Sequence, residues 1–132
     1  MRDFARLISY LFALGLPISS VAPVVAEAEA PTVTIVITEY DFAPKRVMLR
    51  HGVRYRLHLQ NTGKEVHEFT APAFFKIAQI ENPDALDPDR KQVVLQPNET
   101  KDVLLSAPRP GSYDLRCADH DWAGMLGRII VK

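Results

Sequence analysis

Near the C-terminus, Cys117, His120 and Met125 fall in the pattern C-x2-H-x4-M. Thiolate, imidazole and thioether are soft or borderline donors. Two imidazoles and a thiolate in a trigonal set, completed by a long, weak methionine contact, form the geometry of electron-transfer copper. Such a set gives neither Cu(I) nor Cu(II) its preferred coordination, so little rearrangement accompanies electron transfer. The pattern still needs a second imidazole. His67 is the candidate, because it lies fifty residues before Cys117 on a short strand beside a turn, whereas His51 occupies a turn and His58 the polar side of its strand. Taken singly, these residues have plainer roles. Cys117 is the only cysteine, so it is a buried hydrophobe, an intermolecular partner, a nucleophile or a metal ligand. Met125 alone would be core packing. The joint spacing is what points to a metal.

The elements that must bring these side chains together read as strands. Thr32 to Thr38 alternates β-branched residues with a period of two, and the acidic-aromatic turn Glu39-Tyr40-Asp41-Phe42 with Pro44 stops it. Arg46 to Arg50 is a second strand, and His51-Gly52 turns the chain into a third, in which Val53, Tyr55, Leu57 and Leu59 oppose Arg54, Arg56 and His58. Asn61-Thr62-Gly63 ends it, and Val66 to Thr70 follows as a short strand. Ala71 to Ile80 reads as a loop with one helical turn, and Glu81 to Asp89, with two prolines and four acids, as an exposed loop. Gln92 to Leu95, Lys101 to Ser106, Tyr113 to Cys117 and Gly127 to Lys132 are the remaining strands. Seven or eight short strands without a long helix predict an all-β Greek-key sandwich or small barrel.

The first residues read differently. Arg2 and Arg6 precede an apolar run from Leu7 to Leu16, and small residues lead to Val24-Val25-Ala26 and Ala26-Glu27-Ala28. That is the layout of a secretory signal peptide over residues 1–28, cleaved after Ala26 or Ala28 and leaving one domain over 29–132. An uncleaved membrane anchor is the alternative, since Leu7 to Ala26 is long enough to span a bilayer; Pro17, Ser19 and Ser20 weaken it. Export implies the periplasm, where disulfides are permitted and Cys117 has no partner. Sixteen basic and sixteen acidic residues cancel over the 132-residue chain. A net charge of zero argues against a dedicated nucleic-acid binder.

The stretch from Pro110 to Val131, with its ligand spacing and the ending Ala123-Gly124-Met125-Leu126-Gly127, resembles the last two strands and ligand loop of plastocyanins and other cupredoxins. Upstream, Tyr40-Asp41-Phe42-Ala43-Pro44, the Gly52 turn, and Asn61-Thr62-Gly63 leading to Val66-His67-Glu68-Phe69 resemble small bacterial cupredoxin-like proteins. The resemblance implies one copper per chain, with His67, Cys117 and His120 as equatorial ligands, Met125 as the axial one, and His120 as the solvent-edge ligand through which electrons leave.

Two departures from plastocyanins stand out. Glu68 occupies the position where plastocyanins usually have an asparagine that ties the two ligand loops together. A carboxylate can accept the same backbone N–H bonds; ionised near copper, it would favour Cu(II) and lower the reduction potential. Asp119 stands where proline is common, and Asp121 follows on the other side of His120. These are turn formers or solvated charges, or else they attract a basic partner or a cation such as Fe2+. Trp122 is either a docking aromatic or a cover for the site. Charge is also segregated. Six basic residues and no acid lie between Ala43 and Lys64, against the acidic loop from Glu81 to Asp89. The expected function is a one-electron carrier serving a redox partner such as a cytochrome or a membrane oxidoreductase, with the chain a monomer. The alternatives are Fe2+ oxidation within a metal-uptake system, which would be an enzyme-like role, and copper chaperoning or storage.

Overall fold

A computed structural model describes residues 28–132. The leader expected over 1–28 lies, except for Ala28, outside the described residues.

The alternating apolar residues of the sequence close two five-stranded sheets on one another. The first runs β2 (Asp41–Ala43), β1 (Thr32–Thr38), β4 (Arg54–Asn61), β8 (Thr100–Ser106) and β6 (Gln79–Ile80). The second runs β3 (Arg46–Leu49), β10 (Leu126–Val131), β9 (Gly111–Arg116), β5 (His67–Thr70) and β7 (Gln92–Leu95). Within them β1 lies parallel to β4 and β10 parallel to β3, while the other pairs are antiparallel. Ile35, Ile37, Leu57, Leu59, Val103 and Leu105 fill the core from the first sheet. Val47, Leu49, Val93, Leu95, Leu115, Ile129 and Val131 meet them from the second. Alternate residues of β4 point inward, so Arg54, Arg56 and His58 face outward as their polarity requires.

The sandwich is the expected one, but it has ten strands among the described residues where seven or eight were expected. The additional pair, β2 and β6, are three and two residues long. Periodicity cannot register strands so short; each exists because a neighbouring edge, β1 or β8, offers it backbone partners. The expected helical turn is α1 (Pro72–Phe75), which buries Phe74 and Phe75. The penultimate strand stops at Arg116, so Cys117 opens the following loop instead of closing the strand.

The loop between β4 and β5 is held by one side chain. Asn61, 2% exposed, donates from Nδ2 to the carbonyls of Glu65 (2.8 Å), Leu95 (3.1 Å) and Gln96 (3.1 Å), and its Oδ1 accepts from Gly63 N (2.9 Å). Replacing it strands buried backbone groups, at about 1–3 kcal/mol. Asn61→Ala should therefore lower the urea midpoint by that amount of stability. Asn61→Asp should lower it at least as far, because a buried carboxylate would face three carbonyl oxygens; a midpoint unchanged in both variants would contradict the role of this clasp.

Candidate metal centre

The site forms where β5 and β9 part. These strands share only the Thr70–Arg116 pair, while β5 otherwise pairs with β7. Beyond Thr70 the backbone ladder gives way to side chains. Glu68 N donates to Cys117 Sγ (3.4 Å), and the Glu68 carboxylate, 6% exposed, accepts both from the Cys117 thiol (3.0 Å) and from Asp119 N (3.2 Å). Glu68 thus ties the two ligand loops together, as its carboxylate chemistry allows.

On the far side, Cys117 N donates to Met125 O (3.1 Å), which extends the β9–β10 pairing by one rung and closes the loop on itself. Inside that loop His120 N bonds Cys117 O (3.2 Å), and Gly124 takes φ +80°, a conformation that favours glycine, to turn the chain back to Met125. Cys117, His67 and Met125 are fully buried. Nδ1 of His120 lies 3.4 Å from the Cys117 sulfur and Nδ1 of His67 3.8 Å, with the imidazole rings 4.9 Å apart. The donor atoms of His67, Cys117 and His120 all lie within 4.8 Å of one another. Met125 sits buried at the end of the same loop.

Burial sets the protonation states. It holds His67 below its ordinary 6.5, with the neighbouring His120 adding to the effect, so the ring is a neutral donor at neutral pH. It pushes the Cys117 thiol up to about 11, assisted by the hydrogen bond to Glu68. A set of two imidazoles and a buried thiol that a metal ion can deprotonate suits copper, and the Nε2 of His67 is buried without a hydrogen-bond partner.

Three residues that the sequence did not single out as part of the site complete its wall. Glu65 places a carboxylate oxygen 2.9 Å from His120 Nε2. The His120 side chain is only 13% exposed, so the solvent edge expected of this ligand is covered by a carboxylate. Tyr40 packs edge-on against the His120 ring at 5.1 Å and leans on Trp122 at 6.4 Å. Its φ of +66° is a strained conformation for a bulky residue, costing about 1–3 kcal/mol, and is held by the surroundings. Glu39 supplies part of that hold by accepting from Lys64 N. A Cβ at Gly63 would lie 2.7 Å from the Glu39 carboxylate and 3.1 Å from His67 Nε2, so the loop approaches too closely for a side chain there. No sequence signal marks a left-handed tyrosine or a carboxylate that arrives from another loop. Trp122, 78% exposed, donates to Asp119 O (2.9 Å) and stands out from the surface, which fits docking better than shielding. Asp121 pairs with Arg116 (3.4 Å). His58 bonds Asp102 and His51 bonds Pro108 O, both away from the site as expected.

Residues 7–131 match the family model described as a cupredoxin-like domain. The chain belongs to that family. Among solved structures it is similar to auracyanin B (TM-score 0.60, 24% identity, covering 82% of this chain and 93% of that one). It is also similar to the dithionite-reduced auracyanin of the photosynthetic bacterium Roseiflexus castenholzii (TM-score 0.58, 19% identity, covering 80% and 99%). These show a shared fold. A sequence search of curated proteins returned no match.

The two shifted groups among the candidate donors, His67 and Cys117, define a pH window for the metal-free protein. His67, depressed below 6.5, contributes stability above that pH, and this is lost on acidification. Cys117, raised from 9.0 to about 11, contributes stability below pH 9 that is lost as pH climbs through 11. Denaturation midpoints should therefore plateau between about pH 6.5 and 9 and fall on both sides. Cys117→Ser should flatten the alkaline fall alone; an unchanged alkaline limb would show that another group causes it.

Proposed function

We propose that this cupredoxin is a periplasmic one-electron carrier in which His67, Cys117 and His120 would hold one copper ion, with the buried Met125 as the further donor. The observation that carries the reading is the convergence of two imidazole Nδ1 atoms on one buried cysteine sulfur. When bound, the metal supplies a one-electron couple between Cu(II) and Cu(I).

The chain supplies the rest. Glu68 and the Cys117–Met125 backbone bond hold both loops at fixed separation, so the donor set need not reorganise. Burial excludes water from the sulfur. Glu65 on Nε2 of His120 orients that ring and leaves Nδ1 facing the sulfur, in the manner of outer carboxylates that orient metal-binding histidines. That one structural neighbour was determined in a dithionite-reduced form supports a redox role for the fold. The apolar leader expected at the N-terminus supports export.

Addition of Cu(II) to the purified protein should produce an intense thiolate-to-copper charge-transfer band that vanishes on reduction and is missing in Cys117→Ser. Bound copper without that band would overturn the assignment.

Oxidation of Fe2+ is a second reading, favoured by the Glu65 carboxylate on His120 and by Asp119 and Asp121, which flank His120 in the chain. If it holds, copper-loaded Asp119→Asn/Asp121→Asn protein should oxidise Fe2+ several-fold more slowly than the parent at low ionic strength. Equal rates would remove the acids from the reaction.

A further inference from the structure

The outer face of the second sheet carries a cleft of about 470 Å³ lined by Lys45, Arg46, Arg116 and Arg128, with Asp114 as its one acidic residue. Register explains the clustering. Arg46 on β3 and Arg128 on β10 are direct partners, and like charges facing each other across a strand pair oppose that pairing unless something neutralises them. Arg128 leans the other way onto Asp114 (2.8 Å), Arg116 onto Asp121 (3.4 Å) and Lys45 onto Asp41 (3.3 Å). Arg46 has no carboxylate partner among the described residues. Each existing pair is exposed and worth only about 0–1 kcal/mol, so carboxylates of another molecule can replace or share it.

Two features distinguish this cleft from an ordinary solvated face. Large apolar side chains stand among the cations: Leu126, 52% exposed, pairs with Arg116, and Met48, 46% exposed, lies one row beyond Arg46 on the same face. The cleft also abuts the metal centre through the backbone. The Leu126–Arg116 pair is followed by the Cys117–Met125 bond, so the floor of the cleft continues into the ligand loop.

We propose that this cleft is a docking surface for an acidic protein, one that presents clustered carboxylates around an apolar side chain; resting on the carrier reading, it gives the protein a second electron-exchange face. An acidic partner seated there faces Arg46 and Arg128 with its charge and Leu126 with its apolar residue. It lies against the Arg116–Cys117 peptide on one side of the loop, whereas a basic partner would meet the acid-rimmed His120 on the other. The transfer at this face is one electron from the reduced partner to the oxidised centre, with no proton or atom exchanged.

The test uses the copper(I)-loaded protein, isotopically labelled, and a peptide of six aspartates around a central leucine. Amide shifts on titration should map to Arg46, Arg116, Leu126 and Arg128, disappear in high salt, and be lost in Arg46→Glu/Arg128→Glu. With the copper(II) form and the anionic Fe(II)–ethylenediaminetetraacetate complex as reductant, the same variant should react at least about ten-fold more slowly at low ionic strength. Its charge-transfer band should be unchanged. Shifts elsewhere, binding indifferent to the charge reversal, or tighter attachment to phosphatidylglycerol vesicles than to the peptide would overturn the proposal. A wild-type protein without the charge-transfer band would refute the carrier reading instead, so the two failures are told apart.

Discussion

The sulfur of Cys117 is wholly buried and is approached by groups from two separate parts of the chain. His67 and Glu68 come from β5, and His120 from the sulfur's own loop. That meeting requires β5 and β9 to lie side by side without forming a ladder, because a continuous ladder would use the backbone groups that now hold the site. A single residue pair, Thr70 with Arg116, anchors the two strands, and beyond it they are joined through Glu68. The tie through Glu68 has an electrostatic cost, since burial and the Glu68 carboxylate both hold the thiol protonated. Metal binding must displace that proton, which couples affinity to pH. In return, neither loop can shift independently of the other.

Much of this could be read from the residues, and the reason is locality. Cys117, His120 and Met125 sit on one loop, so their spacing is a direct record of their proximity. His67 was legible because it follows the Asn61-Thr62-Gly63 turn, and the Asn61 side chain shows why that turn is tied down on both sides. Glu68 was legible as a tie because a carboxylate can accept the bonds that an amide oxygen accepts. Tyr40, Glu39 and Glu65 were not legible as parts of the site. They reach it by tertiary approach, and a tyrosine with positive φ leaves no pattern in the sequence. The short strands β2 and β6 escaped for a related reason, since their pairing is conferred by the edges beside them.

Charge gave a subtler lesson. The basic run from Ala43 to Lys64 looks like a single field in one dimension, but the fold divides it between two sheets. Arg54 is clamped in a two-pronged contact with Glu81 of the acidic loop (2.6 and 2.8 Å), and His58 rests on Asp102 (2.6 Å). That part of the basic run is neutralised where it arises. Lys45 and Arg46, on the other sheet, are joined by Arg116 and Arg128, which are remote in sequence. The spatial patch is therefore assembled by β3 lying parallel to β10 and not by composition of any one segment.

The consequence is a ligand loop with opposite charges on its two flanks. Glu65 covers His120 Nε2, with Asp119 and Asp121 on either side of His120 in the chain, while Arg46, Arg116 and Arg128 crowd the strand that delivers Cys117. The Arg116–Asp121 pair marks the boundary between them. Field lines running between such flanks over a short distance cancel in the far field, which is why the net charge of zero says nothing about association. At contact distances within a Debye length of about 8 Å they do not cancel. The fold thus sets surfaces of opposite sign on the two flanks of one loop, the carboxylate of Glu65 on the His120 side and the arginines on the Cys117 side.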